Sequence, residues 1–151
     1  MRAPISFFLS LASLFFVSLA GAATPLEFRS VGPNPIIMYD APGVKGMKLY
    51  VAPSGMPIEI ILISGAWCRV RDMNGDLSWV EAKDLVTRRN VVVKISNARV
   101  RATADESAAL AFSADKHVLL EMVEAPVGAW VKVKHRDGAT GFVRITDVWG
   151  A

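Results

Sequence analysis

A single cysteine, Cys68, stands in 151 residues, so no disulfide can close within the chain. Whatever folds here is held by burial alone. Charge of one sign is also scarce, with 17 Lys+Arg against 14 Asp+Glu. Residues 23 to 89 carry eight basic and seven acidic groups, and residues 90 to 151 carry the same numbers. No basic run exceeds Arg88-Arg89, which argues against a nucleic-acid partner despite a pI near 9.2. No serine sits in a Gly-x-Ser-x-Gly setting, so the sequence offers no nucleophile elbow.

The one long apolar run is at the N-terminus. Met1-Arg2 opens it with a positive charge, Ile5 to Leu19 is apolar apart from serines, and Ala20-Gly21-Ala22 is a small-residue cleavage site. This is the pattern of a secretory signal peptide over residues 1–22. Its 15 residues fall short of the roughly 20 that a membrane-spanning helix needs, so no transmembrane span is expected after the leader is removed. Four of the seven Phe leave with it. The expected location is periplasmic or secreted.

What is present is a repeat. Gly65 to Val86, GAWCRVRDMNGDLSWVEAKDLV, returns 63 positions later as GAWVKVKHRDGATGFVRITDVW, Gly128 to Trp149. Seven of 22 aligned positions are identical: Gly65/Gly128, Ala66/Ala129, Trp67/Trp130, Val70/Val133, Gly75/Gly138, Val80/Val143 and Asp84/Asp147. Such self-similarity settles architecture before other signals do. Two units are expected, over 25–86 and 91–151, each of about 60 residues and near the small end of what folds independently. Thr87-Arg88-Arg89-Asn90 is the linker and has no Gly or Pro to loosen it, so the two units should pack together.

Short apolar or alternating runs between Gly, Pro, Asn and Asp clusters predict an all-β chain. In the first unit the strands are expected at Phe28 to Val31, Ile36 to Tyr39, Lys48 to Val51, Ile58 to Ile63, Trp67 to Arg71 and Leu77 to Glu81. In the second they are Val91 to Ile95, Ala98 to Val100, Leu110 to Phe112, His117 to Val123, Trp130 to Lys134 and Thr140 to Arg144. The Ala-rich Glu106 to Phe112 stretch aligns with the strand around Leu49 to Val51, which argues against a helix there.

The hairpin turns Asp72-Met73-Asn74-Gly75 and His135-Arg136-Asp137-Gly138 admit a two-residue or a three-residue loop. The three-residue loop puts Cys68, Val70, Ser78 and Val80 on one face, and Val131, Val133, Gly141 and Val143 on its counterpart. That gives a small apolar inner face in both units and is the expected register. Cys68 is then a buried thiol, in keeping with its alignment to Val131. The opposite faces gather Trp67, Arg69 and Trp79 in one unit and Trp130, Lys132 and Phe142 in the other. Arg69 faces Trp79, and Lys132 faces Phe142. Cation–aromatic pairs of this kind can stabilise a sheet, or an aromatic and basic face can bind a ligand. Both readings stand at this point, and these six residues are the candidate ligand-binding set.

Gly55-Met56-Pro57-Ile58-Glu59-Ile60, Trp67-Cys68-Arg69-Val70-Arg71-Asp72, Asn74-Gly75, Trp79-Val80 and Asp84-Leu85 resemble the bacterial SH3-like domain pattern. The second copy matches through Trp130-Val131-Lys132-Val133-Lys134, Asp137-Gly138, Phe142-Val143 and Asp147-Val148, with Val100-Arg101 similar to the family's opening element. The resemblance implies two tandem SH3-like barrels of five or six strands, a fold common in exported envelope proteins and often attached to cell-wall enzymes as a targeting module. It also places Trp67 and Trp130 where SH3 folds carry a groove tryptophan. Glu81-Ala82 and Arg144-Ile145 stand where polyproline-binding members carry a proline, which turns the reading away from Pro-rich peptides.

No catalytic set assembles from the sequence. Cys68 points inward, His135 replaces the turn residue Asp72, and His117 is expected at a strand start. Asp72-Met73-Asn74-Gly75-Asp76 lacks the spacing of a calcium loop, so neither metal nor cofactor is expected. Two functions remain: a non-enzymatic envelope module that contacts peptidoglycan or another wall component through its aromatic and basic faces, or an adaptor that docks a protein partner.

Overall fold

The computed structural model describes residues 27–151. The leader therefore lies outside the described residues. The first sheet contains β1 (Glu27–Val31), β2 (Ile36–Tyr39), β3 (Lys48–Ala52), β4 (Pro57–Ser64), β5 (Trp67–Arg71), β6 (Leu77–Glu81) and β7 (Leu85–Val86), in the order β3-β2-β6-β5-β4-β1-β7. The second contains β8 (Asn90–Val93), β9 (Ala98–Arg101), β10 (Leu110–Ala114), β11 (Leu119–Met122), β12 (Trp130–Lys134), β13 (Thr140–Arg144) and β14 (Val148–Trp149), in the order β10-β9-β13-β12-β11-β8-β14. The two orders are the same, strand for strand, and every pairing is antiparallel. A duplicated sequence has folded into a duplicated topology.

Each sheet curls around one aliphatic core. In the first, Val31, Met38, Ala52, Ile58, Cys68, Val70, Val80 and Leu85 form a single buried cluster drawn from all seven strands. One sheet buries residues from every strand in one cluster by rolling up around them, which makes it a small barrel left open between its edge strands β3 and β7. Val91, Val93, Ala98, Val100, Ala114, Leu120, Val131, Val133, Val143 and Val148 do the same in the second. Full burial of each such side chain is worth about 1.5–3 kcal/mol, which is how barrels of this size do without a disulfide.

The hairpins take the three-residue loop. Trp67 pairs with Glu81, Cys68 with Val80 and Val70 with Ser78, and Trp130 with Arg144, Val131 with Val143 and Val133 with Gly141. Gly75 closes the first loop at φ +90° and Gly138 the second at φ +97°, the left-handed geometry that glycine adopts without steric cost. Cys68 is fully buried. The Glu106 to Phe112 stretch is turn and strand, not helix.

Three expectations need correction. Each barrel has seven strands, not five or six, because a 3₁₀ turn (Ala82–Asp84 or Ile145–Asp147) leads into a two-residue closing strand. His117 does not start a strand: it sits in the turn before β11 at φ +73°. The strand expected over Val91 to Ile95 ends at Val93.

The barrels pack directly on each other. At the junction, Asn90 donates its backbone N–H to Ser30 Oγ (3.2 Å) and its side-chain amide to Gly55 O (2.7 Å), while Arg89 Nη2 donates to Gly150 O (2.7 Å). Phe28 meets Trp149 edge-on at 5.0 Å, and the Arg89 guanidinium lies 5.4 Å from the Phe28 ring centroid. The short linker thus runs straight into the interface as its hydrogen-bonding element.

Candidate functional site

The outer faces of the β5–β6 and β12–β13 hairpins carry the six candidate residues. Strand alternation puts Trp67, Arg69 and Trp79 outside in the first barrel and Trp130, Lys132 and Phe142 outside in the second. The structure makes two separate faces of them, three residues to each sheet.

In the second barrel, Lys132 Nζ stands 5.9 Å from the Phe142 ring centroid and also pairs with Glu124 (2.7 Å). The Arg144 guanidinium lies 5.4 Å from the Trp130 ring centroid and bonds Glu106. Arg99, Arg101, Glu106, Trp130, Arg144 and Asp147 line an open groove of about 280 Å³. Such a floor, one indole among three guanidiniums, suits a ligand that offers both an apolar ring face and acidic or hydroxyl oxygens.

The first barrel builds the same place from different chemistry. Trp67 is met edge-on by Tyr39 (5.6 Å, 83°), and Tyr39 pairs across strands with Trp79. Arg69 lies opposite Trp79 in register and is exposed, but among the described residues its guanidinium is not stacked on that ring. Where the second barrel has Arg99, Arg101, Glu106 and Thr140, the first has Ile37, Tyr39, Val44 and Leu77. Val44, Met47 and Val51 are 65%, 64% and 63% exposed there. The outer face of the first barrel carries more apolar residues and that of the second more charged ones.

Sequence reasoning missed Tyr39, Arg99 and Arg101. They sit on β2 and β9, which reach the site by pairing with β6 and β13, strands remote in sequence. The available signal was the alignment of Tyr39 with Arg101, which marks a divergent outward position.

The remaining chemical candidates resolve into structural roles. Asp72 is buried, and its carboxylate accepts the N–H groups of Asn74 (2.9 Å) and Asp76 (3.0 Å) and the Tyr50 hydroxyl (3.1 Å). It is the keystone of a turn. Burial, reinforced by the Asp72 charge, pushes the Tyr50 phenol up to about 12. Burial also raises the Cys68 thiol, which keeps it protonated and unreactive. Among the described residues no group of three metal-ligating side chains converges, and no helix is long and apolar enough to cross a membrane.

Two barrels of one SH3-like design, each with an outward tryptophan, define the class, and comparison with known proteins agrees. The bacterial SH3 domain family matches at residues 32–86 and again at 92–150, so the chain belongs to that family. No curated protein matches the sequence. Among solved structures, NlpC1 from Trichomonas vaginalis is 10% identical with a TM-score of 0.40, over 91% of this chain and 50% of that one. NlpC2 from the same organism is 9% identical with a TM-score of 0.39, over 84% and 49%. An NlpC/P60 family protein from Bacillus cereus is 13% identical with a TM-score of 0.37, over 81% and 55%. This chain spans about half the length of those proteins.

Proposed function

We propose that the protein is an exported, non-enzymatic binding module of the cell envelope that holds peptidoglycan or another wall component on its outer faces. The observation that carries this reading is the retention of a half-buried outward tryptophan, Trp67 and Trp130, at the same barrel position in both copies. A ring kept on the solvent side of a hairpin contributes little to the core, whereas tryptophan supplies much of the energy where surfaces bind. Membership of the bacterial SH3 domain family supports the same reading, as does the sequestered state of the only thiol, which leaves no activated sulfur nucleophile.

A second reading, an adaptor that docks a protein partner, draws on the exposed Val44, Met47 and Val51 of the first barrel. Large apolar side chains left this exposed are the kind of surface that a protein partner covers. Cosedimentation with purified peptidoglycan sacculi at low and high salt separates the two. Retention in the pellet that weakens as salt rises supports wall binding through the charged face. Full recovery in the supernatant at low salt rules wall binding out and leaves the adaptor.

A further inference from the structure

A more spacious cavity lies away from both outer faces. It is an open cleft of about 720 Å³ where the barrels meet, walled by the β10–β11 turn, the β12–β13 turn and the Pro53 to Gly55 turn of the first barrel. That volume is in the range of small-molecule sites. Both histidines of the chain, His117 and His135, line it, together with Lys134, Arg136, Glu121 and Asn90. Two imidazoles, an ammonium and a guanidinium line it with one carboxylate, Glu121, and a second, Asp137, pairs with His135.

Two observations set this lining apart from ordinary surface. His117 occupies the left-handed region at φ +73°, and the equivalent residue of the first barrel is Gly55 at φ +79°. A side chain there is strained where the sister copy avoids the strain, and residues held this way cluster at functional sites. The His117 N–H donates to Val93 O (2.9 Å), which fixes the backbone and leaves the ring toward the cleft. The second observation is a paired exchange. Where the first barrel has Tyr50 bonded to Asp72, the second has Phe112 against His135, rings 6.0 Å apart. The turn-locking carboxylate has become an imidazole that lines the cleft. Its Nδ1 lies 3.0 Å from Asp137 Oδ2, which leaves Nε2 for a ligand.

We infer that the inter-barrel cleft is a binding site for a small polyanion, a molecule bearing carboxylate or phosphate groups, with His117, His135, Lys134 and Arg136 as its contacts. Anionic oxygens match this donor set because cationic N–H groups form their strongest hydrogen bonds to charged acceptors. All four contacts lie on the second barrel, and the first supplies the opposite wall, Pro53 to Gly55, which Asn90 holds in place through its bond to Gly55 O.

The test is an NMR titration of the two histidine ring signals in the purified protein, with citrate and with inorganic pyrophosphate as probes and sodium chloride at matched ionic strength as control. The expected result is a saturable shift of both rings with one dissociation constant for a given probe. Lys134→Ala with Arg136→Ala should weaken that constant by about tenfold or more, the loss of charge-assisted hydrogen bonds. His117→Gly should weaken binding while holding or raising the melting temperature, because it relieves the strained backbone. Shifts no larger than those from sodium chloride would overturn the inference. So would a His117→Gly protein that melts several degrees lower and still binds, since the ring would then be packing and nothing more.

Discussion

Replacing Asp72 with alanine tests how the first barrel is built. The side chain accepts three hydrogen bonds, from the Asn74 and Asp76 backbones and from Tyr50 Oη. Hydrogen bonds to a charged acceptor contribute about 1.5–3 kcal/mol each when buried. Asn74 and Asp76 are exposed, so water recovers most of those two, and a capping-type loss of about 1 kcal/mol for the pair is the better figure. The Tyr50 hydroxyl is half-buried and loses its partner with less help from water, which adds about 1–2 kcal/mol. The total is about 2–3 kcal/mol. It falls on the first barrel, because the second holds Phe112 and His135 in those places. Differential scanning calorimetry should therefore show an early transition that involves only part of the unfolding enthalpy. A loss under about 0.5 kcal/mol, the level of an ordinary surface substitution, would refute the keystone role. Equal loss in both barrels would refute its confinement to one.

Three further outcomes follow from the same structure. The Tyr50 phenol is pushed up to about 12 from 10.0, first by burial and then by the charge of Asp72; the folded protein thus favours the neutral phenol, and its contribution to stability is intact below pH 10 and lost as pH rises toward 12. Alkaline urea titrations should show that loss, and Tyr50→Phe should reduce it. Cys68→Ser is expected to cost about 1–3 kcal/mol by placing a hydroxyl in an aliphatic core, and the native thiol should resist a thiol reagent until the barrel opens; complete labelling within seconds contradicts its burial. Small-angle scattering should report one compact particle, and two independently tumbling lobes would contradict the Asn90 and Arg89 junction.

The hairpins were legible in the sequence because loop length and alternation together leave one register that buries Cys68, Val70 and Val80 on one side. Burial and exposure along β5, β6, β12 and β13 follow directly from that. The closing strands β7 and β14 were not legible, since two residues carry no periodicity and their pairing to β1 and β8 is set by the barrel. His117 was misplaced because the apolar run that follows it, Val118 to Leu120, reads as one strand with it, whereas its counterpart in the first barrel, at the offset of 62 that holds over β2, β3 and β4, is the turn residue Gly55. The candidate faces were half visible: the six residues lie outward as expected, yet the partners that complete them, Tyr39, Arg99 and Arg101, arrive by long-range pairing. The inter-barrel cleft had no local signature at all, because it depends on how one barrel sits against the other.

The central claim is that the outward tryptophans bind and do not merely brace the sheet. The measurement that tests it most directly is sacculus retention and melting temperature taken together for Trp67→Ala, Trp130→Ala and the double variant. Retention should fall with each substitution and be lost in the double variant, while the melting temperature stays within a few degrees of the parent. Early melting of both single variants with retention unchanged in the protein that remains folded would make the tryptophans structural and contradict it.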